Sequence, residues 1–188
     1  SDSRFYDLFL PGVQFYQIGS DGGLLDRPLK RNRLLIGPGE RLDVIIDFSD
    51  PLLRGQTLIL RNNARSPFPF GDTPNPQTSG QIMAFKVIPE GEKDVSEVPS
   101  KLRSSPFEVG ESINTRKLVL FEGTDEYGRL KPMIGTAEDG RLAFTAEVTE
   151  KPELETVEQW EIYNTTADAH PIHLHLVHFK VINTQRFN

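Results

Sequence analysis

The chain has 188 residues, 37% hydrophobic and 26% charged, with a net charge of −6 and no cysteine. That length can bury a core as one domain or two small ones, while the acidic balance argues against nucleic acid as the main partner, because phosphate binding needs clustered Lys and Arg. No apolar run approaches the roughly 20 residues that span a bilayer, so no membrane segment is expected, and the absence of cysteine excludes disulfides, thiolate metal sites and cysteine nucleophiles.

In chain order, short runs rich in Val, Ile, Phe and Leu alternate with Gly, Pro, Asn and Asp, the pattern of strands and turns. The opening SDSRFYDLFL lacks the basic start and long apolar segment of a signal peptide. Strands are expected over residues 4–10, 15–18, 30–36, 41–47, 57–61 and 81–87. Between them, Arg27, Lys30, Arg31 and Arg33 form a basic run that reads as a solvated loop. GPGE at 37–40 reads as a tight turn, and RLDVIIDF after it is the clearest strand: Leu42, Val44 and Ile46 alternate with Asp43, Ile45 and Asp47. After Arg61, NNARSPFPFGDTPNPQTSG has no periodicity and reads as a long surface loop.

A polar stretch over residues 89–116 reads as an interdomain linker. Strands resume at 117–122, then 142–144, 157–164, 173–175 and 179–183. Five Glu and one Lys between residues 147 and 158 suggest a solvated turn or edge. No long amphipathic helix is expected, and many short strands point to an all-β sandwich or small Greek-key barrel. Residues 4–23 and 170–185 share a weak strand–turn–strand echo.

All four histidines fall in HPIHLHLVHF, as His170, His173, His175 and His178. His173 and His175 are two apart, so on a strand they project to one face and can share a metal or face a metal cluster. His170 precedes Pro171, which favours extended backbone, and its odd offset suits a different site. His178 has the opposite parity from the pair and reads as exposed. Imidazole suits copper, zinc, iron or nickel, and HxxHxH alone does not choose among them. The i, i+4 histidines and glutamate base of the HExxH zinc signature are absent, which leaves a zinc hydrolase a poor fit. Asp168 lies near His170, but nothing resembles a nucleophile elbow. The plain alternative is a β module whose histidines bind metal adventitiously or not at all.

The string AHPIHLHLVHFKVI resembles the first copper-binding motif in the last cupredoxin domain of multicopper oxidases. FYQIGSDGGLLDRPL, LLIGPGERLDVIIDF and QIMAFKV resemble the second half of domain two, and LVLFEGTDEYGR and VEQWEIYNTT the beginning of domain three. The blocks QIGSDGGLL, DEYGR and HPIHLHLV are shared with the branch of bacterial spore-coat laccases and bilirubin oxidases. The resemblance implies a cupredoxin-like Greek-key fold, with residues 1–88 from domain two, 89–116 as linker and 117–188 from domain three. The two incomplete halves would then combine into one hybrid barrel or exchange in a dimer. It also implies copper as cofactor: His170 a ligand of the type 1 copper, His173 of the type 2 copper and His175 of the type 3 pair, with no role for His178. Complete relatives would oxidise phenols, aromatic amines, bilirubin-like pigments or metal ions, coupled to reduction of oxygen to water, in the spore coat, periplasm or exterior.

Several parts of the family pattern are missing. The type 1 copper needs a cysteine thiolate, and this chain has none; Met83 and Met133 both lie upstream of the histidines. The HCH-containing string and the HxH motifs of domain one are also absent. The expectation is therefore a fragment without oxidase activity of its own. Its partner would be the remainder of an oxidase chain or a second copy through strand exchange.

Overall fold

A computed structural model describes residues 4–89, 94–106 and 108–187. Residues 90–93 and 107 of the expected linker lie outside that description. The chain divides into two compact units, Ser1–Phe107 with Pro171–Asn188, and Glu108–His170. The described residues are all-β apart from one 3-10 turn, Pro51–Leu53, capped by the Asp50 side chain accepting from the Leu52 N–H.

The first unit holds β1 (Tyr6–Phe9), β2 (Phe15–Ser20), β3 (Gly23–Arg31), β4 (Leu34–Ile36), β5 (Leu42–Ile46), β6 (Thr57–Asn62) and β7 (Gln81–Lys86). They form two sheets, ordered β4-β1-β6-β7 and β3-β2-β5. Every pairing in them is antiparallel. Side chains from both sheets meet in one core. Leu10, Val13, Phe15, Leu34 and Leu60 are buried, and Leu42, Val44 and Ile46 of β5 pack against them. The alternation read in RLDVIIDF is thus the inward face of β5. Phe15, 1% exposed, is the largest fully buried side chain, and burying such a ring is worth roughly 1.5–3 kcal/mol.

The strand expected over 30–36 is two strands, β3 and β4, separated at Asn32 and Arg33. Arg27, Lys30 and Arg31 consequently lie on β3 rather than in a loop. Pro28 is tolerated because β3 is an edge strand, and its pairing with β2 skips from Leu29 to Leu24 at a bulge. Arg33 binds the Asp7 carboxylate through Nε at 2.9 and 3.1 Å, which raises its pKa further. The loop after β6 hangs on Asn62, a buried polar side chain. Its Oδ1 accepts from the N–H groups of Asp7 and Ala64 at 3.0 and 2.9 Å, and its Nδ2 donates to Ser79 O at 3.1 Å. The polar stretch after β7 holds no strand among its described residues until β8 (Asn114–Thr124) begins inside the expected linker, yet the Leu102 N–H donates to Asp26 O at 2.9 Å.

The second unit is one sheet, ordered β10-β9-β8-β11, built from β8 (Asn114–Thr124), β9 (Leu130–Thr136), β10 (Gly140–Leu142) and β11 (Glu158–Asn164). β8 and β11 run parallel, from Asn114↔Glu158 to Leu120↔Asn164. Leu118, 4% exposed, is its buried hydrophobic side chain. β9 escapes pattern reading because LKPMIGT interrupts alternation with Lys, Pro and Gly. The acidic run is only partly solvated. Arg116 reaches Glu158 through Nε and Nη2 at 2.6 and 2.9 Å and Glu150 through Nη1 at 2.8 Å. The Trp160 indole also donates to Glu158 at 3.0 Å. The Arg116 bonds hold the Glu158 carboxyl at about 2, far below its usual 4.5.

Beyond Asn164 no described residue is in a strand, so the strands expected at 173–175 and 179–183 are not formed, and the echo of the opening segment has no structural counterpart. The cause is the want of a partner. An extended run without a ladder leaves its backbone groups unpaired, and Leu176 takes a left-handed φ of 72°, which breaks the extended line.

Candidate metal centre

The boundary between the two units falls inside the histidine string, between His170 and Pro171. His170 belongs to the second unit, just past the end of β11. There Asn164 makes an Asx turn: its Oδ1 accepts from the Thr166 N–H at 3.0 Å and from the Thr166 hydroxyl at 2.8 Å. Its Nδ2 donates to Asp168 O at 2.7 Å. The turn is tied back to the sheet by Thr165, whose hydroxyl donates to Leu120 O on β8 at 2.7 Å. Inside it, His170 Nε2 lies 2.7 Å from Thr166 Oγ1. Nε2 is also 3.4 Å from Oε1 of Glu122 on β8. That oxygen is buried and makes no hydrogen bond.

His173, His175 and His178 belong to the first unit. The segment lies along the turn between β4 and β5, where Glu40 N–H donates to Gly37 O at 3.2 Å and the Gly37 N–H donates to the Glu40 carboxylate at 2.6 Å. A side chain at Gly37 would press on the Phe5 ring at 2.9 Å and Pro171 at 3.2 Å, so glycine permits the approach. Gly39 has φ +82°, and a Cβ there would sit 3.5 Å from the His173 ring. The expected tight turn therefore also seats His173. His173 and His175 meet edge to face with ring centroids 4.9 Å apart. Both are exposed. His178, also exposed, lies near Gly22, whose Cβ would be 3.9 Å from its ring.

The pair offers two imidazole donors close together, whereas protein metal sites with N, O or S ligands ordinarily use three or four. Among the described residues no three or more His, Cys, Asp or Glu side chains converge as a metal ion would require. These residues do not by themselves make a closed copper centre. Sequence reasoning singled out the histidines but missed Glu122, Asn164 and Thr166. The Asx-turn pattern of Asn164 and Thr166 was legible; Glu122 was not, because only the parallel register of β8 against β11 brings it beside the turn.

Comparison with known proteins gives these residues a family. Residues 118–188 match the multicopper oxidase family model. The chain is 42% identical, along 100% of its length, to 35% of a laccase of Bacillus subtilis. It is 34% identical, over 97% of its length, to 30% of a bilirubin oxidase of Albifimbria verrucaria. Among solved structures, a laccase from Pediococcus acidilactici superposes on 88% of this chain and 31% of its own, with TM-score 0.61 and 28% identity. The chain belongs to the multicopper oxidase family, whose cofactor is copper, and its all-β architecture is of the cupredoxin type. Within that family it is similar to laccases and a bilirubin oxidase and also to multicopper oxidases of Arabidopsis thaliana, at 34% and 36% identity over 97% of its length. It spans about a third of its relatives' length, 35% and 30% for the laccase and bilirubin oxidase above.

Proposed function

We propose that this chain is a ligand-bearing segment of a laccase-like oxidase. The complete protein would oxidise small aromatic substrates one electron at a time and reduce oxygen to water. In this reading His170 serves the type 1 copper, His173 the type 2 copper and His175 the type 3 pair. Residues 1–88 then correspond to part of cupredoxin domain two, 89–116 to the linker and 117–188 to the start of domain three. The observation that carries the reading is the family match over residues 118–188, which takes in the whole histidine string. Copper, when bound, supplies one-electron transfer; this chain supplies imidazole donors and orients them. It has no thiolate, so the remaining ligands would come from polypeptide outside these 188 residues.

The partner is the remainder of an oxidase chain, or a second copy through strand exchange. Leu176, Val177, Phe179, Val181 and Ile182 are all exposed and outside any strand, which is apolar surface suited to a neighbouring strand. Size-exclusion chromatography giving a stable, well-behaved monomer would remove the second-copy version.

Copper titration of the purified chain tests the ligand assignment. Stoichiometric Cu(II) binding that is lost in His173→Ala, without an intense blue absorption band and without oxidation of phenols, is the expected result. A blue band from this chain alone would sink the reading, because the thiolate responsible is missing. A second reading, a cupredoxin-like binding or structural module, is favoured by the exposure of His173 and His175 and by the lack of a third converging ligand among the described residues. Weak binding with no preference between copper and zinc supports it instead.

A further inference from the structure

The polar contacts around His170 determine where its ring hydrogen sits. Asn164 Nδ2 donates to Asp168 O, which fixes its amide so that Oδ1 faces Thr166. Oδ1 can only accept, so the single hydrogen of the Thr166 hydroxyl is directed at it over 2.8 Å, or at Asp168 O over 3.1 Å. In either case the hydroxyl hydrogen is committed to a carbonyl oxygen. What Thr166 Oγ1 then presents to His170 Nε2 at 2.7 Å is a lone pair. Glu122 Oε1, 3.4 Å from the same nitrogen, is a second acceptor and has no other hydrogen bond.

We propose that Thr166, anchored by Asn164 and backed by Glu122, is a positioning residue that locks His170 in the tautomer with hydrogen on Nε2. The lone pair is then on Nδ1 and the ring's rotation is fixed. Partners of this kind are what orient a ligating histidine and settle which nitrogen is free to bind. The lock follows from hydrogen-bond inventory alone. Its consequence, that Nδ1 is the donor atom offered to copper, rests on the function proposed above.

The test is a long-range proton–nitrogen correlation spectrum of the histidine rings in the metal-free full chain at mildly alkaline pH, with exposed His178 as internal reference. His170 is expected as a single Nε2–H tautomer, with a wide separation between its two ring-nitrogen shifts. Thr166→Val removes the acceptor at nearly constant volume and should shrink that separation toward the His178 value. Thr166→Ser keeps the acceptor and should restore it. Glu122→Ala should shrink it less. A wild-type His170 carrying its hydrogen on Nδ1 would overturn the proposal, and so would a Thr166→Val spectrum identical to wild type, a result that stands even if the substitution lowers stability. Copper loading of the complete oxidase carrying His170→Ala reports separately on the functional reading: an undiminished blue band there removes His170 as a ligand and leaves the tautomer assignment to the spectrum.

Discussion

Asn62 shows how a single side chain can replace missing secondary structure. The loop that follows it is rich in proline and glycine and has no ladder of its own, so its backbone groups need other partners. Asn62 satisfies two N–H groups and one carbonyl from three separate places, Asp7, Ala64 and Ser79. Asn62→Ala leaves the buried Ala64 N–H and the half-buried Asp7 N–H and Ser79 carbonyl without these bonds, and a buried group left unpaired costs about 1–3 kcal/mol. A drop of at least that size is expected in urea denaturation, shown as a lower midpoint with little change in slope. Asn62→Asp is expected to fare worse than the amide, since it loses the donor to Ser79 and buries a charge. The importance of this residue was not legible in the sequence, where it reads as one more loop asparagine. The same is true of Glu122. In both cases the meaning lies in what the fold brings alongside, whereas His173 and His175 announce themselves by type and spacing alone.

Strands with regular alternation were legible, and their boundaries came close. β5 reads directly from RLDVIIDF, and β6 from its Leu and Ile run, because one face of each is in the core. β9 and β10 were missed or displaced because their sheet buries little on either face, so there is no strong alternation to read. The opposite error occurred at 173–175 and 179–183, where β-forming sequence has no strand beside it. β8 and β11 carry a different kind of information: their parallel register sets Arg116 opposite Trp160 and in contact with Glu158. Because Glu158 is held at about 2 against an ordinary 4.5, its ion pair stabilises the second unit fully above the ordinary value. That contribution fades as pH falls from about 4.5 toward 2. Stability followed by Trp160 fluorescence should therefore fall across that window in the wild type. Glu158→Gln should start less stable at neutral pH and lose less on acidification; parallel curves for the two proteins would count against the pair.

At the scale of the molecule, the two units are unequally built. The first has a contiguous core of Leu10, Val13, Phe15, Leu34 and Leu60, while the second has Leu118 as its buried apolar residue and leans on ionic and hydrogen-bonded contacts. Apolar burial is the larger stabilising term, so the second unit is expected to unfold at lower denaturant. The chain's one tryptophan, Trp160, sits in that unit, so its fluorescence should change before the far-ultraviolet circular dichroism signal does. Coincident transitions would show a single cooperative molecule.

The left-handed turn at Leu176 has a last consequence, for how the protein behaves in a tube. Downstream of it, VHFKVI combines high β-propensity with apolar side chains that no ladder claims, the makings of a cross-β segment. Lys180 is the one formal charge between residues 174 and 184, which makes it the gatekeeper of that stretch. The colloidal fate of the chain thus depends on a lysine that touches none of the chemistry, and conditions that neutralise or screen it favour fibrils over solution.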